Sequence, residues 1–354
     1  MYAPIAMRPD CGVLGRHRLG ALCACDSNGL ALVRPGKKGL EAHISPGMEL
    51  FEGDLNDPLS LDGRLRQVDT VYHLAAKYLP GNSESTLREL RLCNVDTTRN
   101  LLDACLKQGV RRFIHVSSAA ACERSGREHV DEDSGQPVSA YGITKRESEE
   151  LLRSAPEGSI ALTVLRPTVI FGEHGEGPIV QLARAIQSGR FRLIGSGKNH
   201  VNFIYAGDVA SAMLQMAELP IAHGKTYLLA DEPARFREVL GVIARAMGAK
   251  VPDGKIPAIA GYGVAALFDV ILALTGRKMP LSLGAVRFMT QSVIYSNARF
   301  KTETGISFEC GVERGIERTI RWFMENRAGR RIVQKNALRP EAFQFQSRAP
   351  FYWI

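Results

Sequence analysis

Four runs of consecutive apolar, often β-branched residues punctuate the first half of the chain: GLALVRP at 29–35, TVYHLAA at 70–76, RRFIHVSS at 111–118 and IALTVLRP at 160–167. Each ends in turn-forming or small residues and reads as a strand buried on both faces. Between them lie longer stretches with apolar positions three and four apart, LRELRLCNVDTTRNLLDACLKQG at 87–109 and YGITKRESEELLRS at 141–154, which read as helices. Strands alternating with helices predict a parallel sheet covered on both faces, joined by right-handed crossovers. The expected fold class is therefore α/β, a Rossmann-type doubly wound parallel sheet. Ligands of such sheets bind beyond the carboxyl ends of the strands. That places Ser117, Ser118 and the HLAA segment ending in Ala76 at the binding edge.

Past residue 170 the pattern changes. Loops rich in glycine and proline (FGEHGEGP, IGSGKNH, PDGKIP, TGRKMP) separate short elements. A smaller C-terminal substrate-binding part is expected there. The divisions read as 1–170 for a dinucleotide-binding domain, with segments at about 200–232 returning to it, then 171–326 mainly for substrate, and 327–354 as a tail. The most apolar run, IPAIAGYGVAALFDVILALT at 256–275, has the length of a bilayer span. Asp269 in its middle, with Pro257, Gly261 and Gly263 near its start, argues against a span. A buried helix from about Val264 is expected, with peripheral membrane contact through 256–275 or the tail as the other reading.

Composition narrows the class. The 354 residues are 45% hydrophobic and 23% charged, the balance of an ordinary globular protein. Seven cysteines (Cys11, Cys23, Cys25, Cys93, Cys105, Cys122 and Cys310) are scattered without a zinc spacing, so reduced thiols, no metal site and a cytoplasmic setting are expected. The N-terminus lacks the charged start and long apolar core of a signal peptide. The net charge of +8 is uneven: from Arg327 onward there are six Lys or Arg against one acid, Glu341. The favoured reading of this basic tail is a loosely ordered extension or one packed back on its own body, and the nearly neutral remainder shows no nucleic-acid footprint.

The candidate chemistry centres on SAYGITKRESEELL at 139–152. Tyr141 and Lys145 are four apart, hence on one helix face. An ammonium beside a phenol favours the phenolate and draws its pKa down from about 10, which makes a general acid or base. Near the N-terminus, Gly12 and Gly15 bracket Val13 and Leu14 as a glycine turn that would let a pyrophosphate rest on a helix N-terminus. Pro9 and Asp10 stand where a further glycine is usual. After the second strand, Arg34 followed by Lys37 and Lys38 suits a 2′-phosphate, so NADP(H) is favoured over NAD(H). In GDLNDP, Asp54 has a carboxylate able to accept from an adenine amine, with Leu55 beside it.

Taken in order, the glycine turn, GDLNDP, VYHLAAKY, NVDTTRNLLDA, FIHVSSAAA, YGITK, LRPTVIFG, NFIYAGDVA and GVERGIERTIRWF resemble the extended short-chain dehydrogenase/reductases, the group holding epimerases, dehydratases and reductases of nucleotide sugars and relatives acting on sterols. The resemblance runs from about residue 5 to 325. It implies Tyr141 as catalytic acid/base, Lys145 as its partner and holder of the nicotinamide ribose, and Ser118 as the hydroxyl that bonds the substrate oxygen. It implies that Leu74, Ala75 and Ala76 pass the cofactor, that Pro167 and Thr168 turn beside the nicotinamide, and that Asn94 has a structural role near the site. Lys77, Ser118 and Ala119 are expected to face the substrate, and Arg192 and Lys198 to approach a diphosphate. No Asp-Glu pair follows Ser118, which discounts dehydration. His73, His115 and His174 read as structural. The implied protein is an NAD(P)-dependent oxidoreductase or epimerase acting on a secondary alcohol or ketone of a nucleotide sugar. The alternatives are an alcohol dehydrogenase of a sterol, isoprenoid or polyketide, and a non-catalytic relative with impaired cofactor binding. A homodimer pairing helices 87–109 and 141–154 is implied by analogy.

Overall fold

The computed structural model describes residues 3–6, 29–33, 35, 48–122, 129–133, 135–175, 177–189, 191–275 and 281–336. Seven strands form one sheet: β1 (Ala3–Ala6), β2 (Gly29–Val33), β3 (Met48–Glu52), β4 (Thr70–His73), β5 (Arg112–Val116), β6 (Ala161–Pro167) and β7 (Thr226–Leu229). Their order is β7-β6-β5-β4-β1-β2-β3, and every pairing is parallel. The order reverses direction between β1 and β4. In a doubly wound sheet that is where connections leave to opposite faces and a crevice opens at the carboxyl edge.

The apolar runs form strands with both faces covered. Val71 and Phe113 point to one side, into a core with Leu32, Phe51 and Val164 that is closed by Leu101, Leu102 and Cys105. Those last three lie on α2 (Thr97–Gln108), which follows α1 (Glu84–Leu90). Tyr72 and Ile114, one position along, point to the other side and pack with Val116, Leu165, Val209, Met213 and Met216. Val209, Met213 and Met216 belong to α4 (Ala206–Glu218), while α3 (Ala140–Arg153) carries the Tyr-Lys segment. Each large apolar side chain taken fully out of water contributes roughly 1.5–3 kcal/mol, so the alternation secures strand register as well as stability.

The chain divides into two compact units. The first comprises 1–170, 202–232 and 294–311; the second comprises 171–201, 233–293 and 312–354. The segment 294–311 joins the first unit although its place in the chain suggested the substrate part. The reason is apolar: Phe300, fully buried, packs into the core beside Tyr227 and Phe308. The second unit includes α5 (Ala258–Thr275). The helix α6 (Gly311–Asn336) runs through position 327, so the first part of the expected tail is helical backbone.

Candidate active site

Three strand ends and one helix build the site, all within the first unit. Ser118 follows β5 with extended backbone (φ −155°, ψ 150°), and its hydroxyl accepts from the Ala120 N–H at 3.2 Å, starting a short 3-10 turn over Ala119–Ala121. Ser139 caps α3, accepting from the Gly142 N–H at 3.0 Å. This cap fixes the helix start so that Tyr141 lies in its first turn and Lys145 one turn on. Gly142 allows the helix to sit against the serine turn. A methyl group there would lie 2.3 Å from the Ala120 carbonyl oxygen, well inside van der Waals contact. Ser118 and Tyr141 are thereby brought within hydrogen-bonding reach.

The helix expected over 87–109 is interrupted. Residues Arg91–Asp96 form a π-helical turn between α1 and α2, a feature that recurs at functional sites. The turn presents Asn94, which is buried. Its side-chain oxygen accepts from the Lys77 N–H at 2.6 Å, and its amide donates to the Lys77 carbonyl at 3.0 Å and to the Thr144 hydroxyl at 3.1 Å. Its own carbonyl accepts from Thr98 and Ser148 hydroxyls at 2.6 and 3.1 Å. Asn94 thus ties the segment after β4, containing Leu74, Ala75, Ala76 and Lys77, to the Tyr141 helix. Periodicity cannot reveal this, since one extra residue in a turn leaves the apolar pattern nearly unchanged.

Lys145 is buried, and its ammonium donates to the Val116 carbonyl at 2.8 Å and approaches Nε2 of His115 at 3.4 Å. His115 stacks beside His73 with ring centres 5.2 Å apart, and His73 Nε2 meets the Thr98 hydroxyl at 2.8 Å. Burial, with the Lys145 charge adding to it, holds His115 well below the usual histidine range. His115 is therefore neutral and offers Nε2 as an acceptor. Burial also lowers Lys145, to about 8, with Glu149 opposing the shift.

The phenol departs from expectation. Burial pushes Tyr141 up to about 12; the Ser118 hydrogen bond pulls the other way, and Tyr78, edge-on at 5.3 Å, adds to the rise. Lys145 does not draw the phenol toward neutrality here. Its ammonium is committed to the Val116 carbonyl and His115, and burial penalises the charged forms of both groups. At neutral pH Tyr141 holds its proton, the state of a general acid.

Beneath this face lies a buried ion pair absent from the sequence reading. Arg166 on β6 grips Glu149 on α3 through two bonds, Nε to Oε1 at 2.8 Å and Nη2 to Oε2 at 2.6 Å. Arg166 also donates to the Glu132 carbonyl at 2.7 Å, Ser117 to Glu149 at 2.5 Å and Arg153 to Glu149 at 3.2 Å. Burial alone would raise the Glu149 carboxyl. The Arg166 guanidinium, with Ser117 and Arg153, outweighs it and holds Glu149 below the usual carboxylate range. Two signals pointed to the pair: Glu149 follows Lys145 by four on the same helix, and an arginine inside an apolar strand needs a partner.

Ala75 and Leu55 are buried, Thr168 is buried and donates its N–H to the Leu229 carbonyl at 3.0 Å, and Pro167 ends β6. Asp54 accepts from Asn56 through its N–H at 3.0 Å and its amide at 2.8 Å. Lys77 pairs with Glu89, and Ala119 is buried in the serine turn. Gly12, Val13, Leu14, Gly15 and Arg34, with Pro9 and Asp10, lie outside the described residues. Arg192 and Lys198 belong to the second unit and are exposed; Arg192 donates to its own neighbours, the Gly189 and Phe191 carbonyls, at 3.1 and 2.9 Å. His174, also in the second unit, has a left-handed backbone (φ 64°) and packs on Trp322. No cluster of metal-binding side chains occurs among the described residues.

The first unit suits a dinucleotide. The strand order supplies the crevice between β1 and β4, and Lys145, with two protein partners for three ammonium hydrogens, retains a donor for a ribose hydroxyl.

Comparison with known proteins bears on the family and the fold. Residues 12–230 match the model of the NAD dependent epimerase/dehydratase family. An N-acetyl-alpha-D-glucosaminyl-diphospho-ditrans,octacis-undecaprenol 4-epimerase of Escherichia coli O157:H7 is 28% identical over 287 residues, covering 80% of this chain and 85% of that one. A 4-hydroxy-2-methyl-3-oxo-4-farnesyl-3,4-dihydroquinoline-1-oxide ketoreductase of Stigmatella aurantiaca is 27% identical, covering 86% and 92%. Among solved structures, a UDP-glucuronic acid 4-epimerase from Bacillus cereus in complex with NAD superposes with a TM-score of 0.70 at 19% identity, covering 91% of this chain and 99% of that one, which speaks to the fold.

Proposed function

The chain belongs to the NAD dependent epimerase/dehydratase family, the extended short-chain dehydrogenase/reductases, and from that premise we propose that it interconverts a secondary alcohol and a ketone by hydride transfer, with Tyr141 as acid/base. The observation that carries this reading is the placement of the Tyr141 phenol, within hydrogen-bonding reach of Ser118 and one helical turn from Lys145, at the carboxyl edge of a doubly wound sheet. Ser118 holds the substrate oxygen. Tyr141 gives that oxygen a proton as a carbonyl becomes an alcohol, and takes it back in the reverse direction. When bound, a nicotinamide cofactor supplies or accepts the hydride. Lys145, Ala75, Pro167 and Thr168 would hold it, with Gly12 to Gly15 at its pyrophosphate. Lys145 fixes the cofactor ribose, and Asn94 keeps Lys77 and the helix bearing Tyr141 in fixed relation. The basic residues Arg34, Lys37 and Lys38 favour NADP(H) over NAD(H).

The first substrate reading is the sugar of a nucleotide or other diphosphate carrier, with Arg192 and Lys198 as candidate diphosphate contacts. A second reading, an isoprenoid or sterol alcohol, is supported by the farnesyl group in the name of the Stigmatella aurantiaca ketoreductase.

The Tyr141→Phe protein tests the chemistry. With the cofactor and panels of UDP-sugars and terpenoid ketones, followed by nicotinamide absorbance, turnover is expected to fall by about 10²- to 10⁴-fold, the usual worth of a positioned general acid. Unchanged turnover on a substrate that wild type converts would sink the assignment.

A further inference from the structure

The helix α5 is inverted with respect to an ordinary surface helix. Along residues 259–270 its solvent side carries no polar side chain. Ile259 is 87% exposed, Leu267 58%, Val270 54% and Val264 45%, with Ala260, Gly263 and Ala266 exposed between them. The opposite side is fastened to its own unit. Ala265 is fully buried, and a methyl on Gly261 would lie 2.5 Å from Cγ2 of Ile194. The Tyr262 and Thr290 hydroxyls meet at 2.9 Å, and Asp269 accepts from the Leu283 N–H at 3.3 Å. The one acid of the helix is thus spent on the packed side. A plain buried helix was the expectation here, and the structure overturns it: the apolar stripe faces outward. An apolar patch of this kind marks a contact surface.

Charge selects the occupant. Lys250 and Lys255, just before α5, are exposed, with one exposed acid, Asp253, between them, so that segment is net positive. Arg277 and Lys278 follow the helix in sequence, and from Arg327 onward six cations and five aromatics (Phe343, Phe345, Phe351, Tyr352 and Trp353) face a single acid. A second copy would bring the same positive charge against itself. An anionic lipid surface complements it, and aromatic side chains favour the headgroup level. The geometry fits a helix lying in the surface plane: residues 259–270 span about 16 Å, about half the hydrocarbon thickness, and no described helix is long and apolar enough to cross a membrane.

We propose that α5 docks on an anionic membrane surface, with Ile259, Val264, Leu267 and Val270 entering the acyl boundary and the exposed Lys250 and Lys255 before the helix meeting the headgroups. An apolar face with flanking cations supplies the two signals that stable peripheral attachment requires. The proposal goes beyond the hydride-transfer reading and stands apart from it, since Tyr141→Phe protein is expected to bind as wild type does.

The test is co-sedimentation of the full chain with vesicles of phosphatidylcholine alone and with 30 mol% phosphatidylglycerol, paired with L267E/V270E. Both substitutions lie on the exposed face, so an unchanged melting temperature serves as the folding control. Wild type is expected to partition onto the anionic vesicles, less onto the neutral ones, and less as salt rises; the double variant is expected to lose about tenfold or more in partitioning. Wild type remaining in the supernatant overturns the proposal. So does equal binding by the double variant, which would leave the tail as sole attachment, or a change of oligomeric state on substitution, which would make the face a subunit interface.

Discussion

At position 142 a single methyl group separates function from misfit. The Ala120 carbonyl would meet it at 2.3 Å, and backbone cannot give way as a flexible side chain can. Gly142→Ala is therefore expected to lower stability by about 1–3 kcal/mol, the usual cost of overpacking, read from denaturant midpoints. Activity is expected to fall further than stability explains, because relief comes by moving α3 off the serine turn and so parting Tyr141 from Ser118. A variant that melts like wild type with full turnover would refute this account. The residue scale is also where the sequence was most and least legible. The spacing of Tyr141 and Lys145 was plain, because a helix repeat is local. What Lys145 bonds to was not: its partners lie 29 and 30 residues away, at Val116 and His115.

At the scale of elements, the pattern located β2, β4, β5 and β6 and the helix α3, passed over β1, β3 and β7, and missed how two elements are fastened. Asn94 in the π turn over Arg91–Asp96 bonds Lys77 and Thr144, and Glu149 pairs with Arg166; each joins elements that sequence distance keeps apart. Removing one partner of a buried pair leaves the other charge stranded, so Glu149→Ala is expected to cost about 3–5 kcal/mol. Its pH dependence has a definite sign. A carboxyl held below its ordinary value contributes stability that is complete above the unfolded-state pKa and is lost as pH falls through the folded value. In Glu149→Gln, unfolding free energy is expected to vary less steeply with pH on the acid side than in wild type. Parallel acid limbs for the two proteins would show that the pair does not govern this behaviour.

At the scale of the whole molecule, the question is what the assembled sheet binds. The family is NAD-dependent, while the proposed preference for NADP(H) rests on the cationic side chains of Arg34, Lys37 and Lys38 suiting a 2′-phosphate. Titration with NADPH and NADH, followed by nicotinamide fluorescence, is expected to show tighter NADPH binding. Arg34→Ala is expected to remove about tenfold of that difference, the worth of one charge-assisted hydrogen bond. Equal affinities in wild type would return the preference to NAD(H), and binding of neither would turn attention to Pro9 and Asp10.

By itself the sequence determined the α/β class and the parallel winding, and it singled out Ser118, Tyr141 and Lys145 as candidates, because hydrophobic period and motif spacing are properties of neighbouring residues. Tertiary structure alone decided that the Tyr141 phenol is held protonated, that Lys145 turns to a backbone carbonyl, that Glu149 and Arg166 neutralise each other out of water, and that the most apolar helix shows its apolar side to solvent. Each of those outcomes depends on which surfaces are withdrawn from water together, and that is settled by contacts between residues distant in the chain.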